Sequence, residues 1–118
     1  MHSTIRHNLL IITALILSSV SLSAPSRSEA QSTRELAIQF RKGFVRGCNQ
    51  GSTPRVTNQK GYCACMANSF QARYNGQELA ALSQYVNKLG KPGTGIINLM
   101  MAPEAKICKA KYQSSSEP

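Results

Sequence analysis

The sequence predicts an all-α fold: a small domain of three to four helices, stapled by two disulfides and preceded by a signal peptide. Apolar residues recur at helical spacing in segments that turn residues separate, and no segment alternates as a strand would. The chain also has an even number of cysteines, as a disulfide framework requires: Cys48, Cys63, Cys65 and Cys108.

The N-terminal segment predicts export. Leu9–Leu22 is mostly apolar and uncharged, which suits the core of a signal peptide, about 7–15 residues, and falls short of the roughly 20 that span a membrane. A signal peptidase needs small residues at positions −3 and −1 before the cut. Ser28 and Ala30 meet this requirement for cleavage after Ala30, and cleavage after Ser23 also fits. We therefore expect residues 1–30 to be a signal peptide and the protein to be periplasmic or secreted, with a retained anchor as the alternative.

The first helix is expected over residues 33–48. Ser32 and Glu35 have the spacing of a capping box, in which each side chain accepts from a free backbone N–H. Four residues recur at every fourth position behind it: Leu36, Phe40, Phe44 and Cys48. The turn residues of 49–54 (NQGSTP) end this helix.

Two further helices are expected in the middle of the chain. The second, residues 58–74, has an i, i+4 stripe made of Tyr62, Met66, Phe70 and Tyr74. Asn75 can cap the third, residues 77–89, with Glu78 three positions later. The apolar seam of this third helix is Leu79, Leu82, Val86 and Leu89.

The C-terminal part predicts a loop, a fourth helical element and a tail. Residues 90–95 (GKPGTG) suggest a loop, without the residue order of a phosphate-binding loop. Residues 96–101 start the fourth element, and Pro103 suits the first turn of a fresh helical segment. The apolar side of that segment is Ile107, Cys108 and Tyr112. The helical domain therefore covers residues 31–112, and the polar residues 113–118 form a tail predicted to be disordered.

The spacing of the cysteines favours two separate bridges. Residues i and i+2 of a helix point about 200° apart, so Cys63 and Cys65 reach different neighbours. An antiparallel hairpin brings the end of the first helix near the start of the second, which favours Cys48–Cys63 with Cys65–Cys108. The crossed pairing, Cys48–Cys65 with Cys63–Cys108, stays open.

Metal binding and thiol redox chemistry are the alternatives for these cysteines. Four thiolates could bind zinc, or Cu(I) with help from Met66, Met100 or Met101. The spacing C-x14-C-x-C-x42-C lacks the paired CxxC of zinc ribbons and of redox sites, and no CxxCH is present for a covalent haem. We therefore expect neither a metal nor a cofactor.

The cysteine frame resembles that of a known group of proteins. Phe44-x-x-Gly47-Cys48, Tyr62-Cys63-x-Cys65-Met66, the capped turn before Leu79 and Leu82, and Cys108 are similar to a loose group of small exported helical proteins of Gram-negative bacteria with a YCxC core. The resemblance implies a periplasmic or secreted helical domain and no reaction.

The composition disfavours an enzyme. Residues 31–118 contain no His, Asp or Trp, so no Ser/His/Asp or Cys/His arrangement can be assembled. The acidic residues there are Glu35, Glu78, Glu104 and Glu117; the first three are explained as helix-start residues and the last belongs to the tail. We expect a non-enzymatic module that binds a partner or has a structural role.

The basic residues are the other clue to function. Residues 31–118 contain 12 Lys and Arg against 4 Glu, a net charge of +8. Two clusters are candidate contacts for an anionic partner: Arg41, Lys42 and Arg46, and Lys106, Lys109 and Lys111. That partner would be an anionic envelope surface or an acidic protein, and a solvated cationic face explains the same composition. Nucleic acid is not expected, because few aromatic residues are free to stack on bases.

Overall fold

Five α-helices make up the part of the chain that the computed structural model describes, residues 26–114. They are α1 (Arg27–Gln50), α2 (Gln59–Arg73), α3 (Gly76–Leu89), α4 (Lys91–Met100) and α5 (Ala102–Tyr112). The all-α class and the two disulfides are confirmed, with five helices in place of three to four. Most of the predicted signal peptide, residues 1–25, and most of the predicted tail, 115–118, lie outside the described residues. Within residues 26–114, no helix has the length and apolarity needed to cross a membrane.

Helix α1 begins earlier than the sequence suggested. The Ser26 hydroxyl accepts a hydrogen bond from the backbone N–H of Glu29 (3.3 Å), and the Glu29 carboxylate accepts one from the N–H of Ser26 (3.1 Å). This is the capping box, and the one predicted at Ser32 and Glu35 is wrong. The two pairs have the same spacing, and once a helix has started at the earlier pair each further residue adds a hydrogen bond. Ala30, the expected cleavage point, lies inside α1.

Helices α2 and α3 follow the predictions closely. The Asn58 side chain accepts from the N–H of Gly61 and starts α2. Asn75 and Glu78 form the predicted reciprocal cap of α3, with bonds of 3.0 and 2.7 Å. Gly90, whose φ of 61° suits glycine, ends α3.

Helix α2 lies at the centre of the fold. The buried cluster is built around it and consists of Tyr62, Cys63, Met66, Phe70, Leu79, Met101 and Cys108. On one side the Phe70 ring packs against the rings of Phe40 and Phe44 of α1, at centroid distances of 5.4 and 5.2 Å. On the other side α5 supplies Cys108, and Ile107 is 68% exposed, not on the apolar side as predicted. The core therefore lies between α1, α2 and α5, and Leu79 of α3 and Met101 complete it.

Helices α3 and α4 are placed by two buried glycines. A Cβ on Gly76 would overlap the backbone carbonyl oxygen of Thr33, so α3 starts in direct contact with the backbone of α1. A Cβ on Gly93 would lie 3.1 Å from the Cβ of Leu89. The prediction of a loop over residues 90–95 is wrong, because close packing of α4 on α3 overrides the low helix propensity of its glycines.

Arg73 connects the end of α2 to the junction between α4 and α5. Its Nη1 donates to the carbonyl oxygen of Met100 (2.7 Å) and to the carboxylate of Glu104 (3.0 Å). Pro103 lies in the first turn of α5, as predicted. These contacts fix the direction in which α5 returns along α2.

Candidate functional site

The four cysteines form two disulfides. Cys48–Cys63 has a Cα–Cα distance of 5.7 Å and Cys65–Cys108 one of 5.8 Å. The favoured pairing is confirmed and the crossed pairing is not formed. The described chain has no free cysteine and no group of three or more metal-binding side chains. The sulfurs therefore tie α2 to α1 at one face and to α5 at the other.

A groove opens between the C-terminal half of α1, α2 and α5. Its volume is about 840 Å³, within the range of small-molecule pockets, about 300–1,000 Å³. Its floor comes mainly from large apolar and aromatic side chains: Phe44, Tyr62, Met66, Phe70 and Met101. Small residues of α5 (Ala102, Ala105 and Ala110) leave the space above this floor open. We call this feature the basic groove because of its rim.

The rim of the basic groove is cationic. Lys106 and Lys109 lie three residues apart on α5, so both side chains lie on the same face of the helix. Arg55 adds a third positive charge from the loop between α1 and α2. No acidic residue is among the described residues that line the groove. Three cations thus surround an apolar concavity without a carboxylate to neutralise them.

The loop that contains Arg55 is held at both ends. The backbone N–H of Thr57 donates to the carbonyl oxygen of Tyr112 (3.0 Å), and Val56 forms an isolated bridge with Gln113. At the other end the Gln59 side chain accepts from the N–H of Thr53 (2.9 Å). These bonds anchor the loop against the C-terminal end of α5.

Arg55 itself has an unusual backbone conformation. Its φ is 68°, in the left-handed region that residues other than glycine rarely adopt, and within residues 26–114 no other non-glycine residue has a positive φ. This conformation costs roughly 1–2 kcal/mol, and the hydrogen bonds that anchor the loop offset this cost. The anchored loop therefore fixes the backbone from which the Arg55 side chain extends at the groove rim.

Tyr62 contributes a neutral polar group to the groove. Burial raises the pKa of its phenol above the ordinary value of 10.0, so the hydroxyl keeps its proton at physiological pH. A protonated phenol can donate a hydrogen bond to an anion. Within residues 26–114, the lining thus offers cations, amides and a phenol, with neither carboxylate nor imidazole.

The six basic residues predicted as anion contacts do not all lie together. Only Lys106 and Lys109 line the basic groove. Arg41 instead donates to the side-chain oxygens of Asn68 (2.6 Å) and Gln71 (3.0 Å), which joins α1 to α2. The remaining three lie outside the basic groove. Lys42 and Arg46 are exposed on α1. The Lys111 ammonium lies 5.6 Å from the centre of the Tyr112 ring, and Lys111 lines a separate depression.

The sequence prediction missed Arg55 as a groove residue. Helical periodicity predicts which face of a helix a residue such as Lys106 lies on, but it predicts nothing about the position of a loop residue such as Arg55. The nearest sequence clue is the turn composition of residues 51–54 just before it.

The chain matches no protein-family model, no curated protein and no solved structure. The resemblance to small exported helical proteins therefore stays a prediction, and the geometry of the basic groove is the basis for the functional argument.

Proposed function

We propose that the protein is an exported, non-enzymatic binding module whose basic groove holds an anionic component of the cell envelope. The proposal depends on one observation: Arg55, Lys106 and Lys109 line an apolar concavity of about 840 Å³. Within the described residues, no acidic side chain lines this concavity. A cationic face that served solubility alone would have no need of a concave apolar floor.

The electrostatics of the rim support an anionic partner. Like charges on neighbouring side chains repel, and the repulsion strengthens near apolar surface, where the effective dielectric constant is lower than in water. An anion placed between the cations removes this repulsion and gains charge-assisted hydrogen bonds. The backbone next to Arg55 is anchored to Tyr112 and Gln113, and Lys106 and Lys109 stand on α5, so all three donors extend from ordered backbone.

The residue types in the groove support binding without catalysis. General acid–base chemistry usually needs an imidazole or a carboxylate, and the lining has neither. The sulfur of Cys48, which also lines the groove, is held in a disulfide with Cys63. Disulfides persist in oxidising compartments, which supports the export part of the proposal.

Co-sedimentation with lipid vesicles tests the proposal. We expect binding to phosphatidylglycerol vesicles at low salt, weaker binding at physiological salt, where the Debye length is about 8 Å, and little binding to neutral phosphatidylcholine vesicles. Lys106→Glu/Lys109→Glu should lose most of this binding. Lys42→Glu/Arg46→Glu is the matched control, since it makes the same charge change on exposed α1 positions. Equal losses in the two variants, or equal binding to both vesicle types, would contradict the assignment to the basic groove.

A further inference from the structure

We infer that the basic groove is a site for one molecule of a single-chain anionic amphiphile. The alkyl chain lies along the apolar floor, and the acidic headgroup meets Arg55, Lys106 and Lys109. This inference rests on the proposed function and narrows it from an anionic envelope component to a monomeric ligand with a stated chemistry.

The two ends of the basic groove differ in polarity. Arg55 lies beside Gln113 through the bridge of its neighbour Val56, and Lys109 is one helical turn before Gln113. This end is therefore polar. At the other end Met101 precedes α5, roughly 12 Å from Lys109 along the helix axis at 1.5 Å per residue, and the polar group that lines the groove there is the uncharged amide of Asn98. A ligand that fills the groove therefore needs a charged end and an elongated apolar end.

The floor explains why an inorganic anion is an incomplete match. The apolar surface that a ligand can touch comes from the half-buried Phe44 and from Ala102, Ala105 and Ala110 of α5, since Phe70 and the two methionines of the floor are themselves buried. Each Å² of apolar surface removed from water contributes about 25 cal/mol, which a phosphate ion or a sugar would not gain.

The concave shape explains why one chain fits better than a bilayer surface. Met101 is only 2% exposed and Phe70 only 5%, so the apolar surface that stays open is a small strip made mainly by Phe44 and the alanines of α5. A flat membrane or a globular partner would touch the rim and leave the floor uncovered. An extended row of methylene groups can lie in the strip while its headgroup stays at the cationic rim.

Isothermal titration with small amphiphiles tests the inference on the oxidised protein. Laurate and dodecyl phosphate, each below its aggregation concentration, carry the same length of chain under a carboxylate or a phosphate. We expect saturable binding of one molecule per protein for at least one of them, and the tighter ligand identifies the headgroup. Inorganic phosphate and uncharged methyl laurate should each bind at least about tenfold more weakly, because each lacks one half of the recognition.

Matched variants assign the binding to the groove. Ala110→Trp places a large ring in the groove from an exposed position of α5 and should abolish laurate and dodecyl phosphate binding. Lys106→Gln/Lys109→Gln should weaken it by about tenfold or more. Ala81→Trp, on an exposed position of α3 away from the groove, should change nothing. Circular dichroism melting of each variant confirms that it is folded.

The outcomes separate this inference from the proposed function. If the wild type binds anionic vesicles through Lys106 and Lys109 but takes up neither monomeric amphiphile, the ligand class is wrong and the proposed function stands. If it binds neither vesicles nor amphiphiles, both fail. Amphiphile binding that Ala110→Trp and Ala81→Trp leave equally intact would overturn the groove assignment.

Discussion

Replacing Gly76 with alanine tests the contact between α3 and α1. A Cβ at this position would overlap the carbonyl oxygen of Thr33 and come within 2.8 Å of the backbone nitrogen of Ala37. Both obstacles are backbone atoms, which cannot rotate away as a side chain can. The first turn of α3 must therefore move off α1, and the packing of Leu79 beneath it changes as well.

The expected cost follows from overpacking and helix propensity. Adding a methyl group to a tightly packed contact typically costs about 1–3 kcal/mol, and the backbone obstacles at Gly76 place it near the upper end. Alanine returns up to about 1 kcal/mol through its higher helix propensity. We expect a net loss of about 2 kcal/mol, which lowers the melting temperature of a domain this size by roughly 8–16 °C.

Gly47→Ala is the matched control. Gly47 lies inside α1, and a Cβ there would meet nothing within 4 Å, so alanine should stabilise the fold by about 0.5–1 kcal/mol. The measurement is urea and thermal unfolding followed by far-ultraviolet circular dichroism. The two substitutions should act with opposite signs. If Gly76→Ala raised the melting temperature as Gly47→Ala does, α3 would not begin against the backbone of α1.

Three further predictions concern the disulfides, Tyr62 and Arg73. Removing Cys65–Cys108 by double serine substitution should lower the free energy of unfolding by about 4 kcal/mol, and removing Cys48–Cys63 should lower it by about 3 kcal/mol. The first loss is larger because a separation of 43 residues closes a larger loop than one of 15. Unfolding in urea measures both losses, and unchanged midpoints would contradict a stapling role. Because burial raises the pKa of Tyr62, the folded state binds the phenolic proton more tightly than the unfolded state. The contribution of this proton to the free energy of unfolding is complete below pH 10.0 and is lost as the pH rises through the higher pKa of the folded state. The difference in urea midpoint between wild type and Tyr62→Phe should therefore change only above pH 10.0. A change confined to lower pH would mean that another group causes it. A double-mutant cycle of Arg73→Gln and Glu104→Gln should give a coupling of about 0.5 kcal/mol that shrinks with added salt, and zero coupling at low salt would mean that the pair does not form in solution.

Short-range geometry explains which parts of the fold were predictable. The cap at Asn75 and Glu78 depends on residues three positions apart, so the sequence contains the whole motif. The separation of Cys63 and Cys65 into different bridges likewise follows from the helical turn alone. The start of α1 was not predictable in this way, because Ser26 and Ser32 are each followed three residues later by glutamate and local pattern cannot choose between them.

Contacts between helices explain the parts that were missed. Helix α4 contains glycines that favour a loop locally, and it is helical because Gly93 packs closely on the end of α3. In the basic groove, the sequence grouped Lys106 and Lys109 in one basic cluster, but the cavity itself depends on how three helices meet. The hydrogen bonds of Arg41 to side chains of α2 were likewise not predicted, because no local pattern identifies those partners.

The two bridges also determine what a protease could release. A single cut between residues 49 and 62 leaves its two pieces joined through Cys48–Cys63, and one between 66 and 107 leaves them joined through Cys65–Cys108. From Cys48 to Cys108, only the peptide bonds on either side of Ala64 are spanned by neither bridge, and they lie inside the central helix α2. A molecule nicked at a spanned bond would therefore stay in one piece, heavier by one water, until it is reduced. Nicks in the loop that presents Arg55, or in the helices that flank the basic groove between the bridged cysteines, would leave the groove's parts covalently connected.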